Sequence, residues 1–271
     1  MTVDINKPYS ALSDEQISSF RKNGFIRLKD VFNEEEIRHY GDEITRLTID
    51  LNTQKLPLEE RSTYDKAFLQ VTNLWEQSDV AKEFVLGKRL AGIAAALLEV
   101  DGVRLYHDQS LYKEPGGGIT PAHADQYYWP LSSDRTVTAW CPLQAVPEHM
   151  GPLGFYAGSQ HVEHGRGLGI SDESEREIAK TMEEGKFPYV TGAFDLGEVS
   201  FHLGWTFHRA AANRADKPRS VMTVIYMDRD KKLKETTEST QLDAATFCPG
   251  VKPGETINSP KNPVLFERVS A

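Results

Sequence analysis

The part of the chain after Asp101 alternates between short strand-like segments and turns that contain glycine or proline. The predicted strands cover residues 103–113, 137–143, 153–156, 198–202, 206–210 and 220–227. Turn sequences lie at 115–118, 151–152, 158–159 and 216–218. Many short strands joined in this way are typical of an antiparallel sandwich or barrel. Within this β-rich part, the charged segment 171–185 predicts a helical insertion.

Residues 1–100 predict a mainly helical region that packs on the β-rich core. Ser13 with Gln16, and Asn33 with Glu36, have the spacing of a capping box, so each pair predicts a helix start. A third helix is expected from Asp79 through residue 98, and the proline-rich tail after Phe247 is expected to wrap the surface. The length of 271 residues suits one unit of this kind. We therefore predict a single domain over 1–271, mainly β with flanking helices.

Composition narrows the classes of partner. The formal net charge is −9, which argues against a nucleic-acid groove or an anionic membrane surface. The longest apolar run, 93–98, is too short to span a bilayer, and residues 1–9 show no secretory signal pattern. Cys141 and Cys248 belong to no ligand motif and are interpreted as free thiols. The sequence therefore predicts a cytoplasmic protein with a small-molecule substrate and leaves its oligomeric state open.

A histidine and a carboxylate two residues apart form the first feature that carries chemistry. On a strand, His123 and Asp125 would point to the same side and could share one metal ion. With a distant histidine they would complete a 2-His-1-carboxylate triad, which leaves open positions on Fe(II). Eight histidines and 40 acidic residues in 271 positions give about one such pair by chance, and His161 with Glu163 is a second match. Only His123 follows a glycine-rich loop and precedes an aromatic cluster, so we expect His161 to be an ordinary loop residue.

The third ligand must come from downstream, where both His202 and His208 lie in strand-like segments. Arg219 favours His208, because a hairpin through 213–218 would bring the two side chains together. A guanidinium group can bind a carboxylate through two parallel hydrogen bonds. His202, His107 and His149 are then interpreted as core or supporting residues. Tyr127, Tyr128 and Trp129 follow the metal motif and are candidates for the substrate pocket.

Taken together, these motifs resemble the phytanoyl-CoA dioxygenase (PhyH-like) family of 2-oxoglutarate oxygenases. The resemblance covers nearly the whole chain. It rests on the N-terminal segment 12–37, the metal segment 113–125, the strand 140–143, the turns 151–153 and 158–161, and the set His208, Asn213 and Arg219.

The resemblance implies a double-stranded β-helix, a cupin-like jelly roll, with its metal site at one open end. It implies Fe(II) held by His123, Asp125 and His208, and O2 and 2-oxoglutarate as co-substrates. Arg219 would bind the oxoacid, with Gln109 and Trp140 lining its site. The expected reaction is hydroxylation of an unactivated C–H bond with release of succinate and CO2, because the carboxylate that related halogenases lack is present as Asp125.

The sequence departs from the family pattern at three positions, and two other classes of function stay open. Ala124 stands between the ligands where many relatives have Gln, Ala157 replaces the proline of a Pro-Gly-Ser turn, and Ala210 stands where relatives often have a hydroxyl. A cupin-like enzyme that binds Zn or Mn without an oxoacid would use the same ligands. A non-catalytic jelly-roll binding module is the third hypothesis.

Overall fold

The computed structural model of the chain describes residues 3–268. Its helices are α1 Asp14–Asn23, α2 Glu34–Leu51, α3 Thr63–Ala67, α4 Asp79–Val85, α5 Lys88–Leu98, α6 Asp172–Glu184 and α7 Gln241–Phe247. Its strands are β1 Phe25–Leu28, β2 Leu69–Thr72, β3 Gly102–Lys113, β4 Thr120–His123, β5 Thr136–Pro142, β6 Leu153–Tyr156, β7 Tyr189–Val190, β8 Val199–Leu203, β9 His208–Ala210, β10 Arg219–Asp228 and β11 Val264–Glu267. Within the described range, no helix is both long and apolar enough to cross a membrane.

The strands form two antiparallel sheets. The larger sheet has the order β1-β8-β5-β10-β3-β11, with β2 also paired to β3, and the smaller has the order β4-β9-β6-β7. Strands distant in sequence are neighbours in both sheets, as in a jelly roll, where the chain passes repeatedly from one sheet to the other. The predicted fold class, a mainly β double-stranded β-helix with flanking helices, is confirmed.

The N-terminal helices begin and pack as the sequence predicts. Both capping boxes form, with Ser13 and Asn33 accepting hydrogen bonds from the backbone N–H groups three residues later. Gly24 ends α1 at a φ of 80°, which is a left-handed conformation that favours glycine. Side chains of α1, α2, α4 and α5 share one hydrophobic core with the outer face of the larger sheet. The helices therefore cover one face of that sheet.

Three predictions about secondary structure were wrong. The expected third helix is two helices, α4 and α5, and its cap is Ser78 rather than Asp79. The break lies at Gly87, where a Cβ atom would be 2.7 Å from the Ile5 Cγ1 atom. The tail after Phe247 does not simply wrap the surface, because it buries Ile257 completely and returns as β11 to pair with β3.

The predicted hairpin between His208 and Arg219 does not exist. His208 begins β9 in the smaller sheet, whereas Arg219 begins β10 in the larger sheet. The intervening loop crosses between the sheets and is held by the buried side chain of Asn213, which donates to the carbonyl oxygens of Lys113, Glu114 and Lys217. The two side chains nevertheless line the same cavity, one from each sheet.

Candidate metal centre

Three side chains from the smaller sheet and the turn after it converge at one end of the barrel. His123 ends β4 and pairs in register with His208 at the start of β9, while Asp125 opens a short 3₁₀ turn directly after β4. One ligand atom from each of these residues lies within 4.8 Å of the other two. The Nε2 atoms of His123 and His208 are each 3.5 Å from Asp125 Oδ1. The structure thus brings together the three residues that the sequence predicted as ligands.

Backbone carbonyl groups fix the orientation of both imidazole rings. His123 Nδ1 lies 2.7 Å from Pro121 O, and His208 Nδ1 lies 2.9 Å from Thr206 O. A carbonyl oxygen can only accept, so each Nδ1 carries the proton and each Nε2 presents its lone pair to Asp125. Burial lowers the pKa of His208 well below its ordinary value, with a contribution from His123, and this favours the neutral ring that binds metals.

The carboxylate of Asp125 is oriented by two further residues. Its Oδ2 atom accepts a hydrogen bond of 3.0 Å from Thr138 Oγ1 and lies 3.0 Å from His202 Nε2. Burial opposes the charge on Asp125, but its pKa still lies well below the ordinary value, and the hydrogen bond from His202 contributes to this. Oδ1 remains available for a metal. His202 therefore lies in the supporting position that the sequence analysis gave it.

Two lone pairs from nitrogen and one from a carboxylate oxygen face one another here without a proton between them. Such an arrangement is unfavourable by itself and becomes favourable around a cation. The donor set of two neutral imidazoles and one carboxylate is the facial triad of non-haem Fe(II) sites. These residues fit an Fe(II) ion.

The triad lies in a cavity of about 510 Å³ that runs between the two sheets. Arg219 lies in its inner part and is 2% exposed. Its guanidinium donates to Gly151 O and lies 5.3 Å from the centre of the Trp140 ring, while its Nε atom is buried with no hydrogen-bond partner. No carboxylate contacts Arg219 anywhere in 3–268. Burial lowers its pKa to about 9, which reflects a buried cation without a counter-ion.

A buried lysine lies beside Arg219. Lys113 faces it across β3 and β10, and burial together with the charge of Arg219 lowers its pKa to about 6. Its Nζ atom donates to Gly118 O and lies 3.4 Å from Thr120 Oγ1. Thr120 in turn pairs in register with Ala210. A cavity-lining hydroxyl is therefore present opposite the alanine, and the departure from the family pattern at that position is offset by a neighbouring strand.

The other predicted pocket residues are divided by the structure. Gln109, Trp140, Tyr128 and Trp129 line the cavity, whereas Tyr127 is not among the lining residues. Of the remaining histidines, His107 lines the cavity and stacks on Phe247 at 4.0 Å between ring centres, while His149 and His161 are exposed.

Sequence reasoning missed several lining residues because they come from elements that it did not connect to the site. Gln70 on β2 accepts from the Tyr64 hydroxyl at 2.6 Å and donates to Gln109, which forms a chain from the rim to the interior. Residues of the undetected helix α7 cover the outer end: Leu242, Asp243, Thr246 and Phe247. A polar residue in an alternating strand could have indicated Gln70, but no local pattern places α7 there.

Comparison with known proteins agrees with this arrangement. A family model described as phytanoyl-CoA dioxygenase (PhyH) matches residues 20–221. A methylphosphonate hydroxylase of Gimesia maris is 24% identical over 223 residues, which cover 80% of this chain and 81% of that protein.

Two solved structures are similar in fold. The 2-oxoglutarate-dependent carbocyclase SnoK from nogalamycin biosynthesis gives a TM-score of 0.78 at 24% identity and covers 95% of this chain and 98% of its own. The epimerase SnoN, solved with Fe3+, 2-oxoglutarate and a nogalamycin compound, gives 0.76 at 23% identity, with coverage of 93% and 98%.

Proposed function

Because the chain belongs to the phytanoyl-CoA dioxygenase (PhyH) family, we propose that it is an Fe(II)- and 2-oxoglutarate-dependent oxygenase. The proposed reaction hydroxylates an unactivated C–H bond of a small molecule, with O2 as oxidant and succinate and CO2 as co-products. His123, Asp125 and His208 would hold the iron. Arg219 would bind the distal carboxylate of 2-oxoglutarate.

The observation that carries this proposal is the pairing of an oriented donor triad with a buried guanidinium that lacks a counter-ion. An enzyme that used the metal without an oxoacid would have no use for Arg219, whose burial without a carboxylate is unfavourable. A binding module would need neither feature. For this reason the cupin-like metalloenzyme and the non-catalytic jelly roll are not favoured.

When bound, iron(II) would activate O2, which is the oxidant, and 2-oxoglutarate would supply two of the electrons that reduce it. The residues of this chain do the positioning. The carbonyl oxygens of Pro121 and Thr206 hold the two imidazole rings, and Thr138 with His202 holds Asp125. Arg219 would hold the far carboxylate of 2-oxoglutarate and so orient the oxoacid in the cavity. Gln109, Thr120 and Trp140 wall this inner region, and their side chains limit the entry of water.

We further propose that the whole chain, 1–271, is one domain, because a single hydrophobic core joins the N-terminal helices to the larger sheet; residues 1–2 and 269–271 lie outside the described range. Two buried free thiols, Cys141 and Cys248, support a cytoplasmic location. The lining residues of the cavity support a small molecule as substrate rather than a nucleic acid.

The test is an anaerobic titration of the Fe(II)-loaded protein with 2-oxoglutarate. A 2-oxoacid that chelates iron(II) gives a weak visible charge-transfer band. We expect the band in the unaltered protein and its loss in Arg219→Leu and Asp125→Asn. The surface substitutions Arg46→Leu and Asp50→Asn, which break an exposed ion pair, serve as controls and should keep it. Absence of the band from unaltered protein with confirmed iron content would contradict the proposal and favour a metalloenzyme that needs no oxoacid.

A further inference from the structure

The outer half of the cavity is formed by segments that lie outside both sheets. Tyr64 on α3, Phe68 just after it, Ile170 before α6, and residues 239–247 around α7 surround the opening. The residues from 239 onward lie beyond the range 20–221 that the family model matches. Family membership therefore does not specify residues 239–247, and the kind of substrate that they can bind is inferred from their side chains.

The inner half of the cavity is balanced in charge once its cofactors are bound. The two positive charges of Fe(II) balance the two carboxylate charges of 2-oxoglutarate, and the negative charge of Asp125 balances the positive charge of Arg219. Burial lowers the pKa of His107 to about 4, so this lining histidine is neutral at physiological pH. Among the described lining residues, the one remaining charged side chain is Asp243 on α7. The outer half of the cavity therefore carries a negative charge, that of the Asp243 carboxylate.

Asp243 has no hydrogen-bond or ion-pair partner among residues 3–268. Its side chain is partly buried, and burial raises its pKa to about 6, so it is mostly ionised at neutral pH. Its charge acts on the neighbouring rings: burial first, and then nearby charges that include Asp243, raise the pKa values of Tyr64 and Tyr128. An ionised carboxylate in this position is stabilised by a bound cation.

Aromatic side chains line the same cavity as this carboxylate. Tyr64, Phe68, Tyr128, Trp129 and Phe247 all line the cavity. One hydrogen-bonding role of each tyrosine hydroxyl is already used: Tyr64 donates to Gln70, and Tyr128 accepts from the Ile170 backbone at 2.8 Å. The rings themselves contribute apolar and π-electron surface. Aromatic rings beside a carboxylate favour an organic cation over an anion.

We infer that the substrate is a small organic cation, a protonated amine carried on an apolar or aromatic frame, and that Asp243 is the residue that binds its ammonium group. The inference rests on the proposed function, because the charge balance of the inner cavity assumes bound Fe(II) and 2-oxoglutarate. It places the apolar frame against the rings at the opening and directs a C–H bond toward the triad. It excludes anionic substrates such as phosphonates or carboxylates, for which the outer pocket has no cation to offer.

The test uses three probes that share a phenylethyl frame: phenethylamine, phenethyl alcohol and hydrocinnamate. Their affinities for the protein loaded with Fe(II) and 2-oxoglutarate are measured anaerobically by calorimetry. In the unaltered protein we expect the amine to bind about tenfold tighter than the alcohol, which is the effect of one charged hydrogen bond, and hydrocinnamate to bind most weakly. In Asp243→Asn, the amine and the alcohol should bind within about threefold of each other, because only the charged hydrogen bond is lost.

Two further variants test whether the charge at position 243 sets the preference for the amine. Asp243→Lys should reverse the order, so that hydrocinnamate binds tightest. Glu238→Gln removes one negative charge from the same segment at an exposed position outside the cavity lining, and it should keep the preference for the amine. Equal binding of amine and anion to unaltered protein, or an amine preference that survives Asp243→Asn, would overturn the inference.

The charge-transfer band separates this inference from the proposed function. Asp243 is neither a predicted iron ligand nor a predicted 2-oxoglutarate ligand, so every Asp243 variant should keep the band. If unaltered protein shows no band, the proposed function fails. If the band is present and the amine preference is absent, the proposed function stands and only the assignment of the substrate class fails.

Discussion

Two buried arginines in this protein should respond in opposite ways to the same substitution. Arg89 forms two hydrogen bonds of 2.8 Å with the Glu36 carboxylate and also donates to backbone carbonyls such as Val31 O. Arg219 donates to Gly151 O and has no carboxylate partner within the described chain. If the guanidinium of Arg219 is reserved for an oxoacid, the protein without oxoacid carries an uncompensated cation.

The size of this effect follows from the pKa of Arg219. Burial lowers it from 12.5 to about 9, and because each pKa unit is worth about 1.4 kcal/mol, the buried charge costs up to ~5 kcal/mol. Arg219→Leu removes that cost and leaves Gly151 O without a donor, which costs about 1–3 kcal/mol. We expect the free energy of unfolding without oxoacid to be unchanged or to rise by about 1–4 kcal/mol. Arg89→Leu should lower it by about 3–5 kcal/mol, because Glu36 is left buried and unpaired.

The assay is chemical denaturation of the metal-free protein, followed by thermal unfolding with and without 2-oxoglutarate in the presence of Fe(II). The melting temperature of unaltered protein should rise with 2-oxoglutarate concentration, as expected for a ligand that binds only the folded state. Arg219→Leu should lose this rise, because two charged hydrogen bonds together change affinity by about 100-fold or more.

Two results would refute this reasoning. One is an Arg219→Leu protein that is destabilised by more than about 2 kcal/mol without oxoacid, which is well outside the range expected when a buried charge is removed. The other is an Arg219→Leu protein whose melting temperature still rises with 2-oxoglutarate as in unaltered protein. Either outcome would mean that the protein itself stabilises the Arg219 guanidinium and that Arg219 is not the binding site of the oxoacid.

Two further predictions concern residues that support the site and the sheet. Thr138→Val removes the hydrogen bond to Asp125 Oδ2 and should weaken Fe(II) binding about 10-fold or more in a chelator competition. The control is Thr136→Val on the same strand: the buried Thr136 hydroxyl has no hydrogen-bond partner among the described residues, so this variant should bind Fe(II) normally. Equal affinities in the two variants would contradict the role given to Thr138. Asp108 is fully buried, and burial raises its pKa from 3.8 to about 7. The protonated carboxyl is compatible with burial, so the full stability is present below about pH 4 and is lost as the pH rises through 7. The free energy of unfolding in urea should therefore be the same for Asp108→Asn and unaltered protein near pH 4. At pH 8 it should be about 2–4 kcal/mol higher for Asp108→Asn. A constant difference between those pH values would show that Asp108 does not titrate in this way.

Local sequence determined the elements whose stability depends on residues close together in the chain. Both capping boxes and the Gly24 helix end join residues at most four apart, so their patterns predict the structure directly. The two-residue spacing of His123 and Asp125 places both side chains at one point for the same reason. The distal histidine and Arg219 were predicted from their residue types and from the family resemblance together, and the chain does belong to that family.

Tertiary structure decided everything that depends on which strands become neighbours. The sequence favoured His208 over His202 through a hairpin that does not form. It is the pairing of β9 with β4 that brings His208 beside His123, while His202 on β8 reaches Asp125 from the other sheet. The same pairing sets Thr120 opposite Ala210.

Local sequence patterns also did not predict α7, the helix that covers the outer end of the cavity. The helix that carries Asp243 is only seven residues long, and it follows a segment that has no periodic apolar pattern. Its place is set by the packing of Phe247 against His107 and by the return of the chain to β3 through β11. Those contacts join residues more than 130 positions apart. The pair of His123 and Asp125 was therefore readable from a short spacing, whereas the positions of His208 and of the residues that cover the pocket were fixed by long-range packing, for which a single sequence carries no local signal.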